Sequence, residues 1–258
     1  MAYPKFENKH LEDALFSADI HEDWRKFSKM GIRKRPSKYV LVYKASLLDR
    51  FKRKFKPRKI KIHSILTVYQ HKDVGVVRMT GVGSPHAAMI LENLIALGGT
   101  KFLNIGIAGG LDDFGLYLCE RAVRDEGTSY HYLPHGDCVD PDRRLTEQFG
   151  KFLREKGQQF VRGVTWTIDA PYRETKAEIR HYKKEGVKTV EMEAAALFAV
   201  AKVRKVKIAS AFVVSDVLGS DKWDPQFDAR HVSQKLFSLF DDAFEFLVSY
   251  SDEGRKME

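Results

Sequence analysis

The chain of 258 residues predicts an α/β fold built on a central, mixed and largely parallel sheet. Short β-rich runs alternate with helix-like segments from residue 39 onward, the pattern of strands joined through helices that cover the sheet faces. The glycine-rich and acidic segments fall at the carboxyl ends of those strands, where doubly wound sheets bind ligands. At 43% apolar residues the chain can bury a large core. No linker divides it, so residues 1–258 are expected to form a single domain, with 1–36 as an N-terminal extension and 251–258 as a flexible tail.

The first β-rich run is Tyr39-Val40-Leu41-Val42-Tyr43. Beyond it Leu47, Leu48, Phe51 and Phe55 recur at helical spacing, which places Arg50, Lys52, Arg53, Lys54 and Lys56 on the opposite, wet face. Ile65 to Tyr69 and Val74 to Met79 read as strands. A helix follows, in which Ser84 and Pro85 supply the N-cap and a first-turn proline. Ala88, Met89, Leu91, Leu94 and Ile95 form its buried stripe, and Gly98-Gly99 ends it. Further strands are expected at Phe102 to Ile105, Arg121 to Arg124, Gly163 to Ile168, Val187 to Val190 and Ile208 to Val214. Helices are expected at Pro141 to Lys156, Thr175 to Glu185, Glu193 to Lys205 and Ser233 to Tyr250.

The formal charge of +9 is concentrated between Arg33 and Lys61. Because the aromatic residues in that stretch carry the core periodicity, a solvated helix face accounts for the charge and a nucleic-acid partner is not expected. No window of the roughly 18 apolar residues needed for a membrane span occurs, and Met1-Ala2-Tyr3-Pro4-Lys5 lacks the core of a signal peptide. A cytoplasmic protein without a membrane partner is the expectation. Cys119 and Cys138 are too few for a disulfide framework or a cysteine zinc site and are read as reduced thiols. No His, Asp and Glu grouping has metal-ligand spacing, so no metal is expected.

The most informative stretch is Thr189-Val190-Glu191-Met192-Glu193-Ala194-Ala195-Ala196-Leu197, where an apolar strand meets an alanine-rich helix with two carboxylates one residue apart. The helix dipole and free N–H groups alone account for a Glu at that position. A second apolar strand ends in a carboxylate at Val213-Val214-Ser215-Asp216. Upstream, Gly81-Val82-Gly83-Ser84-Pro85 and Asn104-Ile105-Gly106-Ile107-Ala108-Gly109-Gly110 are either tight turns after strands or loops that let a ligand approach the backbone.

The order GxGxP, GxxGGL, EGTSYHY, VEMEAAAL and SD, from Gly81 to Asp216, resembles the nucleoside phosphorylase and nucleosidase superfamily. Arg124 to Tyr132 and Thr165 to Thr175 are most similar to the branch labelled uridine phosphorylase in archaea and bacteria. The resemblance implies a three-layer α/β/α sandwich and cleavage of a nucleoside N-glycosidic bond. It implies no cofactor beyond inorganic phosphate as co-substrate, and a homo-oligomer, commonly a hexamer built from dimers, with sites completed by a neighbour. Motif by motif, Glu193 would accept hydrogen bonds from the ribose hydroxyls and Glu191 would support it, while Met192 packs under the sugar or fills the core. Asp216, oriented by Ser215 and assisted by Arg230, would protonate or hydrogen-bond the leaving base, a task that needs a carboxyl kept protonated by burial. Tyr172 would stack on the base and Arg173 would bond a pyrimidine carbonyl. Asp216 thus points to a purine and Arg173 to uridine.

The anion pocket departs from the pattern of relatives. Phosphorylases place an Arg before GxxGG and a Ser or Thr just after its first glycine, since a dianion needs a charged donor and a hydroxyl. Here Asn104 and Ile107 stand there. Lys44, Gly106 and Asn104 are the phosphate candidates, with Arg58, Lys59 or Lys61 reaching in from a neighbour. Hydrolytic nucleosidases show similar losses, so hydrolysis is the alternative, although the Glu those enzymes keep soon after the first strand is missing. A non-catalytic nucleoside-binding or RNA-binding protein is the further alternative. His86 and His131 read as structural, and His10 or His21 would contact a neighbour's ribose.

Overall fold

The computed structural model describes residues 4–6, 8–18, 35–218 and 223–250. His21, Arg33 and the 251–258 tail named above lie outside the described residues. Among the described residues eleven strands form one sheet: β1 (Lys38–Val42), β2 (Arg58–His63), β3 (Leu66–His71), β4 (Val74–Arg78), β5 (Lys101–Gly110), β6 (Leu116–Asp125), β7 (Cys138–Val139), β8 (Val161–Ile168), β9 (Val187–Glu191), β10 (Lys207–Leu218) and β11 (Trp223–Pro225). The helices are α1 (Ala45–Phe55), α2 (Ser84–Ala96), α3 (Arg143–Glu155), α4 (Lys176–Lys184), α5 (Ala194–Val203) and α6 (Arg230–Ser249).

β5 organises the sheet. Along one edge it pairs in parallel with β10 over its whole length. Its other edge is divided, with parallel β1 beside its first half and antiparallel β9 beside Gly109 and Gly110. From β10 the chain of pairings continues through β6 and β8 to β9, so these five strands close on themselves. The remaining strands, β4, β3 and β2, extend outward from β1. The sheet is therefore mixed.

Helices cover both faces, as the three-layer expectation requires. On one face the apolar sides of α2 and α5, including Ala87, Leu91, Leu94, Ala194, Leu197 and Phe198, pack on Tyr39, Leu41, Phe102 and Phe212. On the other, α1, α3 and α6 cover Val40, Val42, Leu103, Ile105 and Val213. Alternate residues of each strand feed opposite layers, the consequence of the two-residue strand period. α4 closes a smaller cluster of Leu111, Trp166, Ile168, Ile179 and Val190 at the barrel end.

Several elements differ from the sequence expectation. The segment Asn104 to Gly110 is the second half of a ten-residue strand, not a loop opening a helix. Its glycines are there for close packing: a Cβ on Gly109 would lie 2.9 Å from Val190 and one on Gly110 2.8 Å from Val214. β6 starts at Leu116, five residues before the expected strand. β2 was not anticipated, because Arg58, Lys59 and Lys61 hide its alternation; exposed lysines on an outermost strand discourage pairing with another chain. On α1, Leu47, Leu48 and Phe51 are buried while Arg50 and Lys54 pair with Asp241, in keeping with a solvated basic face. Among the described residues no helix is long and apolar enough to cross a membrane.

Candidate functional site

The two acidic motifs converge on β5. Gly109 has Val190 opposite it on β9 and Asp216 opposite it on β10. Two ladder steps of about 4.8 Å place the Val190 and Asp216 Cα atoms about 10 Å apart. Glu191 and Glu193 follow Val190 directly, and a bulge between Val214 and Asp216 turns the end of β10. All three carboxylates are 6 to 8% exposed.

Their partners divide the work. Glu191 caps α5: Oε2 accepts from the Glu193 and Ala194 N–H groups, both at 2.8 Å, and Oε1 accepts from Thr167 Oγ1 at 2.6 Å. Thr167 in turn accepts from Ala195 N–H at 3.0 Å. The helix-end role open to Glu193 in the sequence thus belongs to Glu191. The side chain of Glu193 makes no cap bond of its own; it reaches across to α2, where Oε1 accepts the Gly83 N–H at 2.6 Å. Gly83 can present that N–H because its φ of +96° suits glycine. Ser84 Oγ donates to the Met192 carbonyl at 2.8 Å, tying the two loops together a second time. The start of α2, left by the sequence as either a tight turn or a ligand loop, therefore receives the protein's own carboxylate. Met192, between the two glutamates, is half-buried.

Burial sets the electrostatics. It raises the Glu191 carboxyl above the ordinary range, and the Glu193 charge raises it further, against the hydrogen bonds from Thr167 and the α5 backbone. Glu193 is likewise raised by burial, opposed by the Gly83 and Met192 backbone. Beneath the pair, Tyr43 donates to Asn104 Oδ1 at 2.9 Å, and Asn104 Nδ2 donates to Ser210 Oγ at 3.1 Å. Burial, then Glu193 and Glu191, push the Tyr43 hydroxyl well up.

At the other strand end, Asp216 Oδ1 accepts from Ser215 Oγ and Oδ2 from Trp223 Nε1, both at 2.8 Å. Ser215, named with Asp216 in the motif order, is thus a direct hydrogen-bond partner of that carboxylate. Arg230 sits exposed at the first turn of α6 and makes no bond to Asp216 among the described residues; the indole of Trp223 holds the oxygen assigned to it.

The phosphate candidates are dispersed. Asn104 is 0% exposed, with its amide oxygen bonded by Tyr43 and its amide nitrogen bonded to Ser210, so burial keeps it from a ligand in this conformation. Gly106 lies under the Tyr43 ring, which a Cβ there would approach to 3.3 Å. Lys44, just before α1, donates to the Phe227 carbonyl at 2.7 Å. Tyr172 is 100% exposed in a short turn, Pro171–Arg173, and stacks on no ring among the described residues; Arg173 is exposed beside it. The expectation that these two hold the base has no support from their positions here.

Sequence reading missed Tyr43, Thr167, Trp223 and Glu174. Thr167 was detectable as an inward polar residue in an apolar strand, but Trp223 is brought to Asp216 only by the β10–β11 pairing. Glu174 precedes the N-cap of α4, and burial, then Asp216 and Glu178, push its carboxyl up to about 7. His86 accepts from Gly81 N–H at 3.2 Å, and His131 Nδ1 lies 2.8 Å from Lys9 Nζ. The EGTS turn is self-braced: Glu126 accepts from the Thr128 and Ser129 N–H groups, while Arg124 donates to Ser129 Oγ and the Pro134 carbonyl. A cavity of about 890 Å³ opens outside α2, between His63, Met89, Thr128, His131 and the segment from Lys9 to Ala18. Among the described residues no three His, Cys, Asp or Glu side chains cluster to hold a metal.

Such an arrangement is that of a three-layer α/β protein with a buried carboxylate site at neighbouring strand ends. A profile of the phosphorylase superfamily matches residues 40–245. The chain belongs to that superfamily, whose members include nucleoside phosphorylases and nucleosidases. It is 28% identical over 168 residues to a purine nucleoside phosphorylase of Plasmodium falciparum, covering 62% of this chain and 67% of that one. It is 28% identical over 153 residues to a uridine phosphorylase of Treponema pallidum, covering 54% and 59%. In fold it is similar to the crystal structure of an AMP nucleosidase from Bacteroides thetaiotaomicron, with a TM-score of 0.70 at 21% identity over 89% of this chain and 99% of that one.

Proposed function

We propose that the protein cleaves the N-glycosidic bond of a nucleoside, transferring the pentose to inorganic phosphate. The observation that carries this reading is the pairing of Val190, which leads into Glu191 and Glu193, and of Asp216 with the same residue, Gly109, with the Glu193 carboxylate anchored by Gly83 and that of Asp216 by Ser215 and Trp223. Bond breaking leaves positive charge on the pentose and negative charge on the base, so a fixed anion beneath the sugar and a proton source beside the base both favour the transition state. Glu193 accepts from the sugar hydroxyls; Glu191 fixes the loop that carries it; Met192 lines the sugar. The Asp216 end assists the base. Lys44 is the in-chain cation for phosphate, needing only to exchange its bond to the Phe227 carbonyl. The phosphorylase relatives support that choice of acceptor.

A second reading, hydrolysis, is favoured by Asn104, where an uncharged and fully buried amide stands in place of the phosphate arginine. Incubation with inosine, adenosine and uridine, with and without phosphate, separates the two. Base release that requires phosphate and yields pentose 1-phosphate supports phosphorolysis; release without phosphate supports hydrolysis. No release from any nucleoside defeats both. We also read the protein as a homo-oligomer, a reading supported by the exposed apolar side chains Leu15, Phe16, Val82 and Met89 around α2; sedimentation as a monomer at micromolar concentration would remove it.

A further inference from the structure

The reaction proposed above needs a surface that holds a flat heteroaromatic base beside Asp216, and Trp223 is already fixed there. β11 folds back antiparallel on the end of β10, pairing Leu218 with Trp223 and Asp216 with Pro225, and the Gln226 N–H donates to the Ser215 carbonyl at 2.9 Å. On that frame the Trp223 indole N–H donates to Asp216 Oδ2 at 2.8 Å. The ring is thus held at its polar edge. Its body is uncovered: Trp223 is 58% exposed, and the ring that meets it, Phe227, is tilted by 58° with centroids 5.9 Å apart. Among the described residues no ring lies flat against the indole. Exposed aromatic side chains scattered singly are ordinary. This one differs, because its N–H is tied to a carboxyl that is itself only 8% exposed.

We infer that Trp223 is the residue on which the nucleobase stacks, with Asp216 at the rim of the ring meeting the polar edge of the same base. An indole N–H lies in the plane of its ring, so the bond to Asp216 puts the carboxyl at the rim and leaves the ring face free for a planar partner. The two hydrogen bonds from Ser215 and Trp223 leave acceptor positions open on Asp216, within reach of an N–H on the edge of a base lying on that face. Stacking accepts any base, since each has a π-face. Selectivity comes from overlap: the two fused rings of an indole cover a purine over more area than a pyrimidine, so purine nucleosides are the class this pair favours. The assignment rests on the proposed N-glycosidic cleavage and goes beyond it in naming what holds the base.

The test compares wild type, W223F and W223A in two measurements: base release from inosine and uridine, and quenching of tryptophan emission by free hypoxanthine and uracil. W223A is expected to raise KM for inosine by about 5- to 150-fold, the range for losing one base–aromatic stack, with kcat little changed because the stack is made before and during the reaction. The rise for uridine is expected to be smaller. W223F keeps a ring but loses the N–H, so it is expected to recover most of the KM. Hypoxanthine is expected to quench the wild type, and the part of that quench missing in W223F belongs to Trp223. A wild-type KM in W223A, or a quench unchanged in W223F, overturns the assignment. So do equal losses in both variants confined to kcat, which would make Trp223 a positioning residue for Asp216 alone. Should W223A fail to fold, W223F and the quench decide. A wild type that cleaves no nucleoside defeats the cleavage reading, while a hypoxanthine quench lost in W223F still upholds the base platform.

Discussion

Glu193 offers a perturbation whose effects on activity and on stability can be separated. In E193Q the amide oxygen can still accept the Gly83 N–H now held at 2.6 Å, and only the charge is lost. Exchanging a charged acceptor for a neutral one weakens each hydrogen bond by about 1 to 1.5 kcal/mol. Two sugar hydroxyls then lose about 2 to 3 kcal/mol, a fall of about 30- to 160-fold in kcat/KM. Stability should move the other way, since burial already disfavours the charge on Glu193. E193A, by contrast, strips a buried backbone N–H of its acceptor at a cost of about 1 to 3 kcal/mol. For a chain of this size that lowers Tm by about 2 to 12 °C. The assays are base release from inosine and uridine and thermal unfolding of both variants at neutral pH. E193Q turning over like the wild type, or E193A melting at the wild-type temperature, would refute the role of this carboxylate.

Other outcomes follow from the same geometry. Glu191 has its carboxyl raised in the fold, so the stability it contributes is complete below its unfolded value near about 4.3 and is lost as pH rises through the folded one. The Tm of E191Q relative to wild type should therefore climb between about pH 5 and about pH 9; a flat difference contradicts the burial argument. Y43F leaves Asn104 Oδ1 buried without its donor and should lower the unfolding free energy read from urea melts by about 1 to 3 kcal/mol, seen as a lower midpoint at unchanged m-value. In G75A the new Cβ would stand 2.7 Å from the Tyr39 ring and 2.9 Å from Val68, between β strands that cannot part easily. Overpacking of this kind costs about 1 to 3 kcal/mol, and an unchanged melting temperature would show that the sheet yields.

The α/β class and the two acidic strand ends were readable because they depend on local pattern. Periodicity separates strand from helix within a few residues, and the pair Glu191 and Glu193 is contiguous. What could not be read is whatever the barrel closure brings together. Nothing near Asn104 in sequence reveals that Tyr43 and Ser210 bond its buried amide, and nothing near Asp216 points to Trp223. The glycines of β5 misled for a related reason. A glycine in a turn and one that makes room for a neighbouring side chain look alike in sequence, and only the crossing of Tyr43 over Gly106 tells them apart. Tyr172 and Arg173 carried a role borrowed from relatives whose spacing differs, and their exposure leaves that role without local support.

The divided edge of β5 has a consequence for how such a protein can change. Val190 and Asp216 flank the same glycine, so any shift of that short stretch of backbone displaces the Glu191–Glu193 loop and the Asp216 carboxylate in concert. Under the proposed function, new substrate preferences are therefore easier to reach from a turn that follows a strand end, such as Asp169 to Thr175, than from the strand itself. Drift in that turn would alter which base the proposed site accepts while the proposed pentose seat stays intact.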